Sequence, residues 1–332
     1  MKVAVLIMST NSEPSLRNVQ AMKDTFIKFS NEFSYMFRHE YDFYTYYYDE
    51  SLEHEQIEMD NDPDYPNYHI IRIGGQETVY RTFEKTFIAY SYLLREDMPV
   101  YERFVRLNIS AYLNLALLDT VIEDIDEDGI YANALNTFLN GDFPYLNHLY
   151  ARGDFYITSR KVVKGMLAYG GQLMYNDIAL RDRVAVTHVD DTLFGYAYMA
   201  FMGENEYYKH LYAIRYNFVP LATESPTKII EQLNDYAIST RVKTTPAGSV
   251  SGYSWDDNEF RLYDPIKIEI IHNYYKSKKY DPSIRIKNLI QPEGEERSTV
   301  YMNMMLLPPS QIKDILRQFA ELKETSNNTK QV

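Results

Sequence analysis

Apolar and polar positions alternate in long blocks through residues 1–200. Residues 3–8 are apolar throughout, a pattern typical of a parallel strand that is buried on both faces. A polar turn at residues 9–12 follows, and Pro14 opens an amphipathic segment that ends near residue 30, which predicts a helix. A strand, a polar turn and a helix in this order indicate the first unit of a Rossmann-like α/β fold.

The alternation of strands and helices continues after this unit. We predict strands at residues 42–48, 68–73 and 104–107, helices at residues 77–95, 113–122 and 159–168, and a loop at the acidic residues 49–67. A short apolar run lies at residues 155–158. Such an order predicts a mostly parallel sheet that helices cover on both faces. In a sheet of this kind, ligands bind at the carboxyl ends of the strands.

The pattern changes after about residue 220. Residues 244–258 are rich in Gly, Pro, Ser and Thr and are predicted to be a loop, with helices at residues 265–276 and 311–322. We therefore expect residues 1–220 to form one α/β domain. Residues 221–332 are expected to form a C-terminal extension of helices and loops that packs on the same domain.

Composition excludes several classes of protein. The net charge of −13 over 332 residues disfavours nucleic acid as a partner. Cysteine is absent, which rules out disulfides and thiolate metal sites. No apolar run reaches the about 20 residues that a membrane-spanning helix needs. We expect a soluble cytoplasmic protein without a transmembrane segment.

Two short blocks carry candidate chemistry. Asp190 and Asp191 are adjacent acids that follow a strand-like apolar run, and His188 would share the face of Asp190 in that strand. Unpaired carboxylates are costly to bury, but a carboxylate beside a second acid is suited to general-base catalysis. The second block is the turn at residues 152–154, where Gly153 would let the backbone approach a ligand closely.

These blocks resemble motifs of the nucleotide-sugar glycosyltransferases with the GT-A fold, especially the fringe-like and β-1,3-galactosyltransferase-like groups. The families carry a Tyr-x-x-Gly-x-x-Tyr-x-x-Ser block and a later Glu-Asp-Val-x-x-Gly block. A looser match to their Asp-x-Tyr-x-Asn-Leu-Thr-x-Lys helix lies upstream. The matching positions here are Tyr150, Gly153, Tyr156 and Ser159, then Asp190, Asp191, Thr192 and Gly195, and upstream Glu77, Tyr80, Thr82 and Lys85.

The resemblance covers roughly residues 1–200 and implies an inverting glycosyltransferase. Asp191 would be the general base, and Asp190 would orient the acceptor or tune that base. A UDP-sugar is the expected donor and a glycan or glycoprotein the expected acceptor. The turn after the first strand would meet the nucleotide through Ser9 and Thr10. Acceptor or sugar hydroxyls would contact the side chains of Arg152, Asp154 and His188 and the backbone of Gly153.

The chain departs from the families at the metal site. Most GT-A enzymes hold Mn²⁺ or Mg²⁺ on a strand-end Asp-x-Asp, where this chain has Asn108-Ile109-Ser110. Asn108 and Ser110 would then contact ribose or phosphate, or else merely cap the next helix. Basic side chains would offset the charge of the leaving diphosphate, and the candidates are Lys85, Arg106, Arg241 and Lys243. A cation held by Asp190 and the diphosphate, with help from His272, stays an open alternative.

A second function remains open on the sequence alone. A non-catalytic carbohydrate-binding or scaffold protein could keep the fold and lose the metal motif, because fold does not decide function. The missing Asp-x-Asp favours this reading, and the intact pair Asp190-Asp191 opposes it. The motifs of zinc peptidases, P-loop kinases and α/β-hydrolases are absent from the sequence.

Overall fold

The apolar run near the N-terminus forms the central strand of a large sheet in a computed structural model of the protein. The structure describes residues 1–54, 56–77, 82–138, 148–176, 190–219, 225–244 and 260–291. The strands in these residues are β1 (Lys2–Met8), β2 (Glu40–Asp49), β3 (Ile57–Asn61), β4 (Tyr68–Gly74), β5 (Arg103–Asn108), β6 (Ala111–Leu113), β7 (Ile130–Ala132), β8 (Leu135–Phe138), β9 (His148–Ala151), β10 (Phe155–Ser159), β11 (Leu211–Ala213), β12 (Asn217–Phe218) and β13 (Ser239–Arg241).

Helices connect most of these strands. They are α1 (Ser15–Met22), which continues through a π-helical turn (Lys23–Ile27) into α2 (Lys28–Glu32), then α3 (Thr82–Leu93), α4 (Leu115–Val121), α5 (Arg160–Asn176), α6 (Asp190–Met202), α7 (Glu204–Lys209), α8 (Pro226–Ile230) and α9 (Asp264–Tyr275). Short 3₁₀ turns lie at Ser34–Met36, Ile122–Asp124, Phe260–Tyr263 and Ile286–Asn288.

The main sheet has eight strands in the order β11-β7-β10-β5-β1-β2-β4-β3. Strands β5, β1, β2 and β4 are parallel neighbours, whereas β10 runs antiparallel to β5 and β3 runs antiparallel to β4. Two small sheets complete the described residues, β12-β13-β6 and β8-β9. The predicted α/β class, a mostly parallel sheet flanked by helices, is confirmed.

Side chains of β1 alternate between two cores, one on each face of the sheet. Val3, Val5 and Ile7 pack in the core that α1, α4 and α9 cover. Ala4 and Leu6 point the other way, into the core that α3, α5 and α6 cover. Because successive side chains of a strand face opposite sides, an apolar run without polar breaks is required at this position.

The predicted loop at residues 49–67 is partly wrong, because it contains the edge strand β3. Its acidic side chains Glu58 and Asp60 form ion pairs with Arg72 of the neighbouring strand, at 2.5 and 2.7 Å. Charged side chains are common on edge strands, where they discourage pairing with other molecules. They also hide the alternation of apolar positions that would have predicted the strand.

Residues after 220 add two α-helices, α8 and α9, and the strand β13 to the described structure. Helix α9 packs against α1, and Asn18 Nδ2 of α1 donates to Oδ2 of the buried Asp264 at 3.4 Å. Strand β13 pairs with β6. The helix predicted at residues 265–276 is confirmed within a residue at each end, whereas the helix predicted at 311–322 lies outside the described residues. The division of the chain at residue 220 stays a prediction.

The two-sided burial of β1 predicts an unequal response to the same truncation at two leucines. Leu6→Ala should lower the free energy of unfolding by about 2–5 kcal/mol, because it opens a cavity in a packed core. Leu16→Ala, on the exposed side of α1, should change it by no more than about 0.5 kcal/mol. Urea denaturation followed by circular dichroism measures both values. Equal losses for the two variants would contradict this description of β1.

Candidate active site

The candidate site lies at the carboxyl edge of the central strands. Strand β1 ends at Met8 and its parallel neighbour β5 ends at Asn108. Because β10 is antiparallel to β5, the turn before it lies at the same edge, and Asn108 N donates to Asp154 O at 3.0 Å. Strand β13 pairs with β6 just beyond β5 and brings Arg241 beside this turn. The fold therefore brings together segments from four parts of the sequence.

Asp154 is the centre of a buried ion cluster in this edge. Arg152 donates to both of its carboxylate oxygens at 2.7 Å, and Arg241 Nη1 lies 3.5 Å from Oδ2. Asn133 Nδ2 donates to the same oxygen at 3.2 Å. Burial alone would raise the pKa of Asp154, but the two guanidinium charges and the hydrogen bonds lower the pKa to about 2. The carboxylate is therefore ionised, and it is satisfied by the protein itself.

Gly153 lies between a buried arginine and the candidate base. Its backbone N donates to Asp191 Oδ2 at 2.9 Å. A Cβ atom added to Gly153 would lie 2.5 Å from Arg106 Nη1 and 3.0 Å from Asp191 Cβ, so no side chain fits there. Asp191 is 7% exposed. The structure thus places Arg106 and Asp191 against Gly153. That these residues bind a ligand stays a prediction.

The acid pair begins a helix, because Asp190 and Asp191 are the first residues of α6. Residues 177–189, which include His188 and the apolar run before the acids, lie outside the described residues. Helix α6 holds Asp191 in its first turn while its apolar side chains, such as Phe194 and Tyr198, pack in the core.

Lys85 joins the ends of β1 and β2. Its Nζ donates to Ser9 O at 2.7 Å and forms an ion pair of 2.6 Å with Glu77, while the other carboxylate oxygen of Glu77 accepts from Tyr48 N at 3.2 Å. The Lys85 side chain is only 1% exposed. Its position supports the turn after β1. Binding of a donor phosphate by Lys85 itself stays a prediction.

The turn after β1 is closed by hydroxyl groups. Thr10 Oγ1 is hydrogen-bonded to Ser15 Oγ at 2.8 Å and to Ser12 Oγ at 3.1 Å, and Ser9 Oγ donates to Thr10 O at 3.2 Å. Ser9 is buried, whereas Thr10 is partly exposed at the edge of the sheet. The turn therefore has a defined shape in which Thr10 can reach a ligand.

Arg106 is fully buried inside the same edge. Its Nη2 lies 3.2 Å from Met8 Sδ, and its guanidinium lies 5.9 Å from the centre of the Tyr156 ring. The side chain of Arg106 is 0% exposed. Its positive charge thus lies beneath Gly153, so a direct contact with a bound diphosphate would require the site to open.

Asn108 and Ser110 do not cap the next helix. Asn108 Oδ1 accepts from Ser110 N at 3.0 Å, which closes the turn after β5. The cap of α4 is Asn114, whose side chain accepts from Leu117 N at 3.4 Å. Ser110 Oγ instead accepts a very short hydrogen bond from Arg261. The capping alternative for Asn108 and Ser110 is therefore wrong.

Arg241 and Lys243 lie on the same side of one extended segment. Both are partly exposed, whereas Thr240, Val242 and Thr244 between and beside them are buried. Arg241 also lies 6.0 Å from the centre of the Phe218 ring. Arg241 thus lies beside Asp154. Contact of Arg241 or Lys243 with phosphate stays a prediction.

Residues 108–110 do not fit the divalent cation that the resemblance implies. Mg²⁺ and Mn²⁺ favour charged oxygen ligands, but this turn offers a neutral amide oxygen and a neutral hydroxyl oxygen. Ser110 N already occupies the first oxygen, and the guanidinium of Arg261 occupies the second and would repel a cation. Across the described ranges, no cluster of three or more carboxylate or imidazole side chains has a metal-binding arrangement.

His272 belongs to the helix packing. Its ring makes an edge-to-face contact with Phe29 and lies 3.3 Å from Tyr112 Oη through Nδ1. Burial, with a smaller effect of the Lys276 charge, lowers the pKa of His272 to about 4, so the ring is neutral at pH 7. It lies in the interface of α9 with α2 and β6.

Two site residues had no signal in the sequence. Arg261 contacts Ser110 across 151 residues of chain, and Asn133 joins Asp154 to Ser239, whose Oγ donates to Asn133 Oδ1 at 2.6 Å. No local spacing could have indicated either contact. Gly153 was expected to let the backbone approach a ligand, which stays a prediction. Its protein neighbours Arg106 and Asp191 were not predictable.

Comparisons with known proteins give structural neighbours alone. No protein-family model matches the chain, and no curated protein matches its sequence. A glycosyltransferase involved in the glycosylation of the major capsid of PBCV-1 is 11% identical, with 81% of this chain and 100% of that chain covered and a TM-score of 0.39.

Two further neighbours are also glycosyltransferases. The galactosyltransferase LgtC, solved with donor and acceptor sugar analogues, is 9% identical, with 90% of this chain and 100% of that chain covered and a TM-score of 0.43. GlyE of Streptococcus pneumoniae TIGR4 is 11% identical, with 91% of this chain and 67% of that chain covered and a TM-score of 0.37. Identities and TM-scores at this level describe a likeness of general architecture alone. Among the described helices, none has the length and apolar character of a membrane span.

The buried ion cluster predicts a pH-dependent effect of one substitution. Asp154→Asn should lower the free energy of unfolding at pH 7 by about 3–5 kcal/mol, because two guanidinium groups lose their counter-charge. The folded pKa of about 2 lies below the ordinary value of 3.8, so this stabilisation is complete above pH 4 and disappears as the pH falls through 2. The difference between variant and wild type should shrink over that range.

Arg95 and Asp97 provide a matched control on the surface. They form the same two-residue-spaced pair, at 2.6 and 2.9 Å, but both are largely exposed. Asp97→Asn should therefore cost less than about 1 kcal/mol. Urea denaturation at several pH values measures both variants. A loss at Asp154 that equals the loss at Asp97, or that does not change below pH 4, would contradict the description of the cluster.

Proposed function

We propose that the protein is an inverting glycosyltransferase that moves a sugar from a nucleotide sugar to a glycan hydroxyl, with Asp191 as the general base. The observation that carries the proposal is the placement of the Asp191 carboxylate. It lies at the carboxyl edge of a mostly parallel sheet and is held by the backbone N–H of Gly153. Ligands of such sheets bind at this edge. The motif resemblance favours a UDP-sugar as the donor. The expected location of the reaction is the cytoplasm.

The hydrogen bond from Gly153 gives Asp191 a fixed orientation. A general base must be held at hydrogen-bonding distance from the proton that it removes, and a carboxylate that can rotate freely loses part of that advantage. Helix α6 fixes the backbone of Asp191, and the N–H of Gly153 fixes Oδ2. Arg106 on the other side of Gly153 adds a buried positive charge near the carboxylate.

The reaction would run in one displacement. Asp191 takes the proton of the acceptor hydroxyl while the hydroxyl oxygen forms a bond to the anomeric carbon of the donor. The bond from that carbon to the diphosphate oxygen breaks, and the nucleoside diphosphate leaves with the electron pair. Attack opposite the leaving group inverts the configuration. The proton passes from Asp191 to solvent.

Local charge supports an anionic donor despite the net charge of −13. Around the edge lie the basic side chains of Arg106, Arg152, Arg241, Lys243 and Arg261. Preorganised cations stabilise a leaving diphosphate without reorganisation during the reaction. We extend the proposal to a reaction without a divalent ion, because the turn at residues 108–110 does not suit one.

Asp191→Asn separates catalysis from binding. The asparagine oxygen can still accept from Gly153 N, so the fold and the affinity for nucleotide should be kept. Turnover should fall by about 10²-fold or more, the usual scale for loss of a general base. Sugar transfer from a panel of nucleotide sugars, with nucleotide binding by calorimetry alongside, measures both effects.

Asp190→Asn is the neighbouring control. A loss of turnover in Asp190→Asn but not in Asp191→Asn would move the base by one residue. No loss in either variant would reject the mechanism. Wild-type protein that binds nucleotide sugar or glycan but transfers nothing would favour the non-catalytic carbohydrate-binding alternative, which the neutral Asn108 and Ser110 support.

A chelator tests the metal-free part independently. Transfer by the wild type should be the same with and without EDTA, because the cations that stabilise the diphosphate belong to the protein. The measurement is the rate of release of nucleoside diphosphate after removal of divalent ions, and again after addition of Mn²⁺. Complete loss in EDTA with recovery in Mn²⁺ would reject the metal-free reaction and leave Asp191 as the base.

A further inference from the structure

We infer that the guanidinium of Arg261 is the fixed cation that binds the donor diphosphate at the end of β5, in the place of the divalent ion. The inference rests on the proposed nucleotide-sugar reaction and names the residue that recognises the leaving group. Arg261 lies in the 3₁₀ turn Phe260–Tyr263 before α9, and its Nη2 donates to Ser110 Oγ. Ser110 is the third residue of the turn that replaces Asp-x-Asp.

The position of Arg261 is fixed by a buried carboxylate. Asp264 is 0% exposed, and its Oδ2 accepts from Arg261 Nε at 3.1 Å. Its Oδ1 accepts from Thr244 N at 2.8 Å and from Thr244 Oγ1 at 2.7 Å. Asn18 of α1 also donates to Asp264, so its partners come from three segments. Asp264 cannot shift without breaking several hydrogen bonds, and it therefore holds the Nε edge of the Arg261 guanidinium in place.

A buried lysine reinforces the same support. Lys267 Nζ donates to Thr244 Oγ1 at 2.8 Å, to Val219 O at 2.7 Å and to Val242 O at 3.3 Å. The cluster around Asp264 therefore contains two cations and one carboxylate. Its formal charge is positive, so Asp264 does not cancel the attraction of Arg261 for an anion. Thr244 directly follows Lys243, which is one of the side chains predicted to bind phosphate. The residues that support Arg261 are therefore next to Lys243 in the chain.

The rest of the guanidinium is available to a ligand. The Arg261 side chain is 17% exposed, and within the described residues its Nη1 makes no hydrogen bond. A guanidinium presents its N–H groups in a planar fork that matches two oxygens of a phosphate. With Nε and one Nη2 hydrogen engaged by Asp264 and Ser110, both hydrogens of Nη1 remain for the diphosphate.

Ser110 and Asn108 are suited to this arrangement because they are neutral. An aspartate at residue 110 would form an ion pair with Arg261 and reduce its attraction for a diphosphate. A hydroxyl group orients the guanidinium and adds no second negative charge to that of Asp264. In the inferred site, a protein cation therefore takes the role that the resemblance assigns to a metal ion.

Binding of nucleoside diphosphates and nucleosides tests the inference. Calorimetry in EDTA would compare UDP with uridine and GDP with guanosine for the wild type and for Arg261→Gln. The glutamine keeps a planar donor group but loses the charge. The affinity for the diphosphate that binds should fall by about 10- to 100-fold, the scale of a charged hydrogen bond, while its nucleoside binds as before. Arg95→Gln, an exposed arginine, should change neither affinity.

The ratio of the two affinities separates the possible roles of Arg261. If Arg261 only connects the turn before α9 to the turn after β5, Arg261→Gln should lower the melting temperature and leave the ratio of diphosphate to nucleoside affinity at its wild-type value. That result would overturn the inference but not the proposed function. Wild-type protein that binds none of the four compounds would overturn the proposed function and the inference together.

Ser110→Ala provides a second test that keeps every charge. Arg261 loses one anchor, so the affinity for the diphosphate should fall by about threefold to tenfold relative to the nucleoside. This variant also answers the question if Arg261→Gln does not fold. An unchanged ratio in Ser110→Ala would contradict the role of Ser110 in positioning Arg261.

Discussion

The ionised carboxylate of Asp154 holds the candidate site in shape. It is buried between two guanidinium groups, and its partners come from the turn before β10, from the residue after β7 and from β13. Burying an unpaired charge is so costly that these segments must meet in one arrangement. The cluster fixes the turn that contains Gly153 and therefore the direction of its N–H. That N–H donates to Asp191 and so orients its carboxylate.

A site built from fixed side chains differs from one built around an ion. A divalent ion binds with the donor and can adjust its ligands, whereas an arginine held by Asp264 and Ser110 is present in the unliganded protein. If Arg261 binds the diphosphate as proposed, such preorganisation would lower the cost of ordering the site when substrate binds. It also makes the site depend on packing, because each cation keeps its place through buried partners far along the chain.

The parts of the fold that could be predicted are those with a local pattern. β1, β2, β4, β5 and the helix from Pro14 onward have apolar spacing that matches their surroundings, and the structure confirms them. Helix α6 was missed because it packs against β9 on one side and against α3 and α5 on others, so its apolar residues surround it and the helical period is weak. The contacts of Arg261 and Asn133 join residues far apart, and no pattern along the chain records them.

The packing of α9 on α1 determines which apolar surface stays uncovered while the chain is being synthesised. Ile268 and Ile271 share a core with Val19 and Met22 of α1, at the opposite end of the described chain. Synthesis delivers α1 first, so its apolar face lacks this cover until α9 has left the ribosome. Contacts of such long sequence separation also form slowly. The nascent chain therefore carries an open apolar surface through most of its synthesis.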